Sequence, residues 1–251
     1  MPTDWFTAEY LDAQAATPFW QAAKLATIDA LELPHGSTAL DVGCGTGEEV
    51  RTMAAIAGAA VGVDASRTLV EEARRRTGPE YEAHFELARA EELPFEDESF
   101  AGVRTERTLQ HVDDLGAALG EMWRVAKPGA RLVALEPDWD TFVIDAGPLA
   151  STRSVTRAWA DGIRNPVAGR QVARRLRKLG AVEVEVEPRT AAITELAFAE
   201  GQYGLTELAE ATLNPAAGRA WLRTLSDRDA EGAFLAAVTY FLVSGRTPVA
   251  E

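Results

Sequence analysis

TALDVGCGTGEEV, residues 38–50, joins a short apolar run, a glycine-rich turn and the start of an amphipathic segment. Residues 38–42 predict a buried β-strand, because the run is short, apolar and bounded by glycine. The glycines at 43, 45 and 47 favour a tight turn, since glycine enters the φ > 0 region at little steric cost. Residues 48–56 predict a helix, so the stretch is one strand–turn–helix unit.

The same turn is suited to a ligand that lies against bare backbone, because N–H groups at a helix start lack partners within the helix. A dinucleotide fingerprint has the spacing G-x-G-x-x-G. Here Gly47 comes one residue early, and Glu48 occupies the position of the third glycine. An acidic residue there would repel a pyrophosphate, so the turn favours a ligand without phosphates.

A second strand is predicted at 59–63, and Asp64 follows it directly. A carboxylate at that strand end can accept hydrogen bonds from both hydroxyls of a ribose. The alternative interpretation is a cap for the helix predicted at 67–77, although Ser66 would cap that helix as well or better.

Strand and helix patterns alternate along most of the chain, which indicates a parallel sheet. Apolar and acidic residues alternate at 182–186, which predicts a strand with one face in water. Further strands are predicted at 81–87, 100–105, 131–135 and 234–243, and further helices at 5–31, 115–125, 148–163, 167–179 and 200–225.

These patterns together predict an α/β fold with a Rossmann-like, seven-stranded, mostly parallel sheet, helices on both faces and a helical cap. We expect one domain over residues 1–251, with an N-terminal helical lid at about 1–35. The cap helices are expected at about 145–165 and 200–228.

Composition limits the classes of partner. The chain has 25 basic and 39 acidic residues in 251, a formal net charge of −14, so it should repel nucleic acid. One cysteine, Cys44, excludes internal disulfides and favours a reducing compartment. Without a signal-like or membrane-spanning run, a cytoplasmic protein with no membrane contact is expected, and monomer and homodimer are both compatible with the sequence. No metal-ligand spacing is present, so we expect no metal.

Five blocks in order resemble the class I S-adenosylmethionine (SAM) dependent methyltransferases, in particular the type 11 or UbiE-like enzymes that act on small molecules. Each block is weak alone, and the specificity lies in their order and spacing. The blocks are LDVGCGTG (40–47), VGVDAS (61–66), ARAEELPFEDESFAGVR (88–104), RTLQHVDD (107–114) and EMWRVAKPGARLVALEPD (121–138).

The resemblance implies SAM as cofactor, with S-adenosylhomocysteine (SAH) as its product. It implies that the glycine turn holds the amino-acid end of SAM, that Asp64 holds the ribose, and that the 90–91 loop contacts adenine. Lys24 is a candidate partner for the SAM carboxylate. The expected cofactor residues are Asp41, Gly43, Cys44, Gly45, Gly47, Asp64, Ala65, Ala90, Glu91, Glu106, Arg107 and Lys24.

One departure from the family pattern concerns adenine. The family usually has an aspartate where this chain has Arg89, and arginine cannot accept a hydrogen bond. Either Glu91 or a backbone carbonyl takes that role, or adenine is held mainly by packing and the backbone of Ala90.

Methyl transfer is an in-line displacement, so the protein mostly orients the two reactants, and a general base is useful but not obligatory. His111 follows the fourth strand and is the candidate catalytic base. Its alternative role is to bond the backbone and shape the pocket. Asp138 and Trp139 follow the fifth strand and are expected to touch the acceptor, the alternatives being loop solvation and core packing.

Aromatic residues of the N-terminal segment are expected to form an apolar lid, or else to pack on the sheet. They are Trp5, Phe6, Tyr10, Phe19 and Trp20, of which Tyr10 and Phe19 join Asp138 and Trp139 in the expected substrate pocket. Residues 200–225, with Tyr203 and Trp221, are expected to form the opposite wall.

The expected function is methyl transfer to a small apolar or aromatic metabolite, of specialised metabolism or quinone-like. The alternatives are a nicotinamide-dependent oxidoreductase, which the glycine spacing opposes, and a non-catalytic SAM-binding protein.

Overall fold

Seven strands and ten helices make up residues 7–249, the part of the chain that this computed structural model describes. The strands are β1 (Ser37–Val42), β2 (Gly58–Asp64), β3 (Ala83–Leu87), β4 (Phe100–Glu106), β5 (Ala126–Ile144), β6 (Val182–Ile193) and β7 (Ala236–Arg246). The helices are α1 (Ala8–Ala15), α2 (Pro18–Asp29), α3 (Glu48–Ala57), α4 (Arg67–Arg76), α5 (Leu115–Val125), α6 (Leu149–Asp161), α7 (Ala168–Leu179), α8 (Leu196–Tyr203), α9 (Leu205–Thr212) and α10 (Pro215–Ala230).

All seven strands form one sheet in the order β3-β2-β1-β4-β5-β7-β6. The pairs β1–β2, β2–β3, β1–β4 and β4–β5 are parallel, whereas β7 runs antiparallel to both β5 and β6. The predicted seven-stranded, mostly parallel sheet is thereby confirmed. The order reverses between β1 and β4, so a crevice opens beyond their carboxyl ends, where open α/β sheets bind ligands.

Apolar side chains cover both faces of the sheet. On one face Val50 and Met53 of α3 are fully buried, and on the other Leu119 and Met122 of α5 are buried to the same degree. Burying each such side chain contributes about 1.5–3 kcal/mol, which fixes the helices and the strand ends beneath them.

The N-terminal helices begin where the sequence provides caps. The Thr7 hydroxyl accepts a hydrogen bond from the Tyr10 N–H at the start of α1, and the Thr17 hydroxyl accepts one from the Trp20 N–H at the start of α2. Pro18, in the first turn of α2, needs no N–H partner there. The expected helices at 5–31 therefore separate at 16–17, and Trp5 and Phe6 lie outside the described residues.

Strand lengths differ from expectation at the antiparallel end of the sheet. The predicted strand 131–135 lies inside β5, which continues to Ile144, and the predicted strand 182–186 lies inside β6, which continues to Ile193. The extensions exist because β7 pairs with both strands over its whole length. Likewise, the helical segment 200–225 is divided into α8, α9 and α10, with left-handed Gly204 and the Asn214 cap at the breaks.

Strand β6 lies at one end of the sheet, with only β7 as a neighbour. Glu183, Glu185 and Glu187 are exposed along it. Across residues 7–249, none of the helices is long and apolar enough to cross a membrane.

Candidate active site

The glycine turn is held tightly between β1 and α3. Gly43, Gly45 and Gly47 have φ values of 80°, 53° and 77°, the left-handed region that glycine tolerates. The N–H groups of Gly43 and Cys44 donate to the Val63 carbonyl at 2.8 and 2.9 Å. A Cβ at Gly43 would lie 1.9 Å from the Thr108 hydroxyl oxygen, so protein packing itself demands glycine at this position.

A cavity of about 460 Å³ opens beside this turn, at the carboxyl ends of the parallel strands. It gathers most of the residues that the sequence singled out. Those lining it are Tyr10, Lys24, Gly43, Cys44, Gly45, Asp64, Ala65, Ala90, Glu91, Glu106, Arg107, His111, Trp139 and Tyr203. Asp41, Gly47, Phe19, Asp138 and Trp221 do not line it.

Asp64 lies at the end of β2 with its carboxylate at the cavity. One oxygen accepts the Gly45 N–H at 2.9 Å and the other accepts the Ser66 N–H at 2.8 Å. The Ser66 hydroxyl accepts the Leu69 N–H, so Ser66 is the residue that caps α4. Burial raises the pKa of Asp64, although these backbone N–H groups oppose the shift. The carboxylate is thus free of the capping role and lies beside the glycine turn.

Asp41 lies under the turn rather than in the cavity, because a buried arginine holds it there. Arg104 of β4 donates from Nη1 to Asp41 at 2.9 Å, from Nε to the Thr27 hydroxyl at 2.7 Å, and from Nη2 to Glu106. Only 1% of Arg104 is exposed. Burial raises the pKa of Asp41 to about 6, and the Arg104 cation opposes that shift.

Glu106 lies between two guanidinium groups at the end of β4. It pairs with Arg104 and, at 3.2 Å, with Arg107. Burial alone would raise the pKa of Glu106, but the nearby cations lower it below its usual value. This carboxylate is therefore ionised at the cavity wall.

Lys24 joins helix α2 to the start of α3. Its ammonium lies 2.9 Å from the Glu48 carboxylate and also pairs with Glu49. Lys24 lines the cavity, while its role toward a cofactor carboxylate stays a prediction. The two acidic residues at this helix start make the site unsuited to phosphate.

The loop expected to contact adenine is tied to the segment after β4. Glu91 accepts the Asp113 N–H at 2.6 Å and pairs with Arg89 at 3.1 Å. The second partner of Arg89 is the Asp113 carboxylate. Both Glu91 contacts go to one of its oxygens, Oε1, so the other oxygen and the backbone around Ala90, which is 7% exposed, are each available to a purine.

A buried carboxyl group shapes the segment after β4. Glu136 accepts N–H groups from Thr108 and Leu109, each at 2.8 Å, and from Gln110 at 3.3 Å. Burial raises the pKa of Glu136 to about 8, against the lowering effect of those N–H groups. Sequence analysis did not identify this role for Glu136.

His111 lines the cavity one turn further on. Burial, with smaller contributions from the Arg107 and Arg164 cations, lowers the pKa of His111 to about 4. The imidazole is therefore neutral at pH 7 and holds a transferred proton weakly, so a general-base role stays a prediction.

Two residues expected in the substrate pocket have structural partners instead. Asp138 is 2% exposed and pairs with Arg170 of α7. Phe19 packs edge-on against Trp20, with ring centroids 5.1 Å apart, and lies 5.7 Å from the Tyr240 ring. These contacts hold both side chains away from the cavity, which neither of them lines.

Trp139 lines the cavity and also packs in the hydrophobic core. It is 5% exposed and donates from Nε1 to the Gln110 side chain at 2.8 Å. Its ring centroid lies 5.5 Å from that of Trp159 and 6.0 Å from that of Tyr203. Tyr240 of β7 completes this aromatic wall, 6.5 Å from Trp139. Neither Trp159 nor Tyr240 was predicted for the site.

The cavity fits SAM on its chemistry. It joins a glycine turn and a ribose-suited carboxylate to acidic residues that disfavour phosphate, and it leads on to an aromatic wall. No group of three metal-ligating side chains occurs anywhere in residues 7–249.

Known proteins resemble this chain in sequence. A family model described as a methyltransferase domain matches residues 40–134. An "Uncharacterized 37.1 kDa protein in transposon TN4556" from Streptomyces fradiae is 41% identical over 249 residues, 95% of this chain and 71% of that protein. The demethylmenaquinone methyltransferase of Bacillus licheniformis is 37% identical over 113 residues, 44% of this chain and 49% of that enzyme.

The fold has a solved counterpart. The crystal structure of the YcgJ protein from Bacillus subtilis matches with a TM-score of 0.68 at 16% identity, covering 92% of this chain and 100% of that one. This likeness shows the fold alone, and the family follows from the sequence matches. The chain belongs to the class I SAM-dependent methyltransferases.

Proposed function

We propose that this methyltransferase acts on a small apolar or aromatic metabolite, such as a quinone-like compound or an intermediate of specialised metabolism. The observation that carries the proposal is the aromatic wall of Trp139, Trp159, Tyr203 and Tyr240, which shares one cavity with the glycine turn. The B. licheniformis relative acts, by its name, on demethylmenaquinone, which is consistent with such an acceptor.

Within this proposal the cofactor lies along the glycine turn. The bare backbone at Gly43 and Gly45 lies along its amino-acid end, and Asp64 holds its ribose. Ala65 and Ala90 lie against the adenine, while Glu106 and Arg107 border the reacting end. Asp41 and Gly47 act from beneath, by fixing the turn.

The assignment of SAM as the cofactor is tested by calorimetry with SAH and with NAD on ligand-free protein. We expect SAH to bind and NAD not to bind, and SAH at 100 times its Kd should stabilise the fold by about 2.7 kcal/mol. Asp64→Ala removes two acceptor oxygens and should weaken SAH binding at least tenfold, by about 1.4 kcal/mol or more. Asp227→Ala, on exposed helix surface, is the matched control.

The proposed class of methyl acceptor is tested by following labelled methyl from SAM into a panel of phenols, naphthols, hydroquinones and indoles. Transfer to at least one of them supports the proposal. If SAH binds but no label ever leaves SAM, the chain is a SAM-binding protein without this activity. If NAD binds in place of SAH, the cofactor assignment itself fails.

A further inference from the structure

The acceptor side of the cavity offers hydrogen-bond donors and a cation, but every carboxylate there already has a partner. We infer that the acceptor is a flat aromatic compound that presents a hydroxyl oxygen, a phenol or an enol, rather than an amine. This inference rests on the proposed function and specifies the substrate class of the same site.

Two tyrosines supply the donors. Tyr203 of α8 and Tyr240 of β7 line the cavity with 6% and 4% of their surfaces exposed. Within residues 7–249 neither hydroxyl has a hydrogen-bond partner, and neither oxygen is completely buried. Burial raises the pKa of both phenols, so both remain protonated and able to donate. A buried hydroxyl without a partner costs free energy unless a ligand satisfies it.

Arg107 supplies the cation. Its Nε and Nη2 groups lie 3.3 and 3.2 Å from one Glu106 oxygen, whereas Nη1 has no partner among the described residues. The guanidinium carbon lies 3.9 Å from the centre of the Trp20 ring, and the backbone φ of Arg107 is 52°, so the charge is held in place. The pair with Glu106 offsets part of this charge, so Arg107 offers the acceptor chiefly the N–H donors of Nη1, which suit an oxygen anion and cannot accept from an ammonium group.

The carboxylates at the cavity, by contrast, are all engaged within the part of the chain described. A protonated amine would therefore find no carboxylate without a hydrogen-bond partner, and Asp64, the one among them held by N–H groups alone, is assigned to the ribose. The carboxylate residues and their partners are Asp12 with Arg76, Glu48 and Glu49 with Lys24, Asp64 with backbone N–H groups, Glu91 with Arg89, Glu106 with Arg104 and Arg107, and Asp113 with Arg89 and Arg164.

The aromatic wall sets the shape of the acceptor. The Trp139 and Trp159 rings meet at an interplanar angle of 69°, and the Trp159 and Tyr203 rings at 75°, with centroids 5.5 and 5.1 Å apart. Such edge-on walls pack against a flat ring. They could also hold a cation by its attraction to the ring faces, which is the competing possibility that the experiment separates.

The chemistry balances without a further reactant. When bound, SAM supplies an electrophilic methyl group: the oxygen–carbon bond forms as the carbon–sulfur bond breaks, the bonding pair stays on sulfur, and the hydroxyl proton passes to water. Tyr203 and Tyr240 orient the acceptor oxygen, and Arg107 favours the ionised hydroxyl that attacks.

The test measures binding of matched probes to SAH-saturated protein by calorimetry. The probes are 1-naphthol, naphthalene and 1-naphthylmethylamine, which share a ring system and differ in the polar group. We expect 1-naphthol to bind at least tenfold more tightly than the protonated amine. Tyr203→Phe and Tyr240→Phe should each weaken 1-naphthol by about two- to twelvefold, the loss of one hydrogen bond, with naphthalene and SAH binding unchanged. Tyr81→Phe, outside the cavity, is the matched control.

A second measurement tests the role of the Arg107 guanidinium. The ionisation of bound 1-naphthol is followed by its absorbance against pH, at saturating SAH. Arg107→Met should raise the pH of that transition, because a cation that stabilised the naphtholate is lost, and Arg107→Lys should restore part of the shift.

The outcomes are distinct. Equal or tighter binding of the amine, unchanged 1-naphthol affinity in both phenylalanine variants, or no binding of 1-naphthol to SAH-loaded protein overturns the inference and leaves the cofactor proposal intact. Failure of SAH itself to bind overturns both.

Discussion

Arg104 holds together the charged groups beneath the cofactor turn. It lies in the middle of β4, where both faces of the sheet are covered, and contacts Asp41 of β1 and Glu106 at the strand end. A buried ion pair adds little net stability over apolar packing, but a single buried charge left alone is costly. Removing Arg104 should therefore destabilise the fold mainly by leaving buried carboxylate charge uncompensated.

Replacing Arg104 with methionine should lower the free energy of unfolding by about 3–5 kcal/mol, because buried Asp41 loses its cation and Glu106 keeps only Arg107. Urea unfolding followed by circular dichroism measures the change. Arg75→Met, which removes an arginine with 71% of its side chain exposed, is the control and should leave unfolding nearly unchanged. A loss as small in Arg104→Met as in the control would contradict the role assigned to this network.

Glu136 should make stability depend on pH. Its pKa in the folded protein, about 8, is raised from the ordinary 4.5, so the folded state retains the proton more strongly than the unfolded state. The stability due to this group is complete below about pH 4.5 and is lost as the pH rises through about 8.

The Tm of the wild-type chain should therefore fall between pH 5 and pH 9, and that of Glu136→Gln should fall less. In the variant the amide oxygen can keep the bonds from Thr108 and Leu109, which go to one oxygen of Glu136. Thermal melts of both proteins across this range give the comparison. Parallel Tm curves would show that Glu136 does not ionise as described.

At the level of elements, the local pattern was sufficient where a strand or helix is defined by its own residues. Helix α5 begins and ends at the predicted residues 115 and 125, and α3 and β1 differ from prediction by one residue each. The extension of β5 could not be predicted in the same way. Its last residues pair with a distant strand, Val143 opposite Ala237, and no local pattern carries that information.

The glycine turn yields a prediction at the same level. Gly43→Ala places a Cβ 1.9 Å from the Thr108 hydroxyl oxygen at a φ of +80°. The left-handed conformation alone costs an L-residue roughly 1–2 kcal/mol, and the clash adds to it. We expect lower stability in urea and weaker binding of SAH in calorimetry.

Gly120→Ala is the matched control for this substitution. Gly120 lies inside α5 with nothing within 4 Å of the added Cβ, so alanine should stabilise the helix by about 0.5–1 kcal/mol. If Gly43→Ala behaves like Gly120→Ala, the turn can relax away from Thr108 and its geometry is not fixed as the structure shows.

Across the whole molecule, the site was predictable to the extent that it is continuous in sequence. The glycine turn, Asp64 and the segment after β4 were identified because each directly follows a predicted strand. The order of these segments along the chain also matches the family pattern. Tyr240 and Trp159 were not, since β7 and α6 reach the cavity only through the folded topology. Arg104 could have been identified from the sequence, because a charge within a buried parallel strand requires a partner.

The net charge of −14 should make stability depend on salt. At pH 8 the excess carboxylates repel one another, and added salt screens that repulsion. The Tm should therefore rise more between 0.01 and 0.2 M NaCl at pH 8 than at pH 5, close to the pI of about 4.8, where no excess repulsion remains. An equal response at both pH values would show that local ion pairs, rather than net charge, govern the effect.

The outermost strand of the sheet carries a consequence for association between molecules. The free side of β6 exposes backbone N–H and C=O groups that could template a further strand. Two copies aligned along this side would bring their Glu185 carboxylates together, beside Glu183 and Glu187 with their arginine partners, and Pro188 has no N–H to offer. The strand thereby resists the stepwise addition of strands that leads to fibrous aggregates.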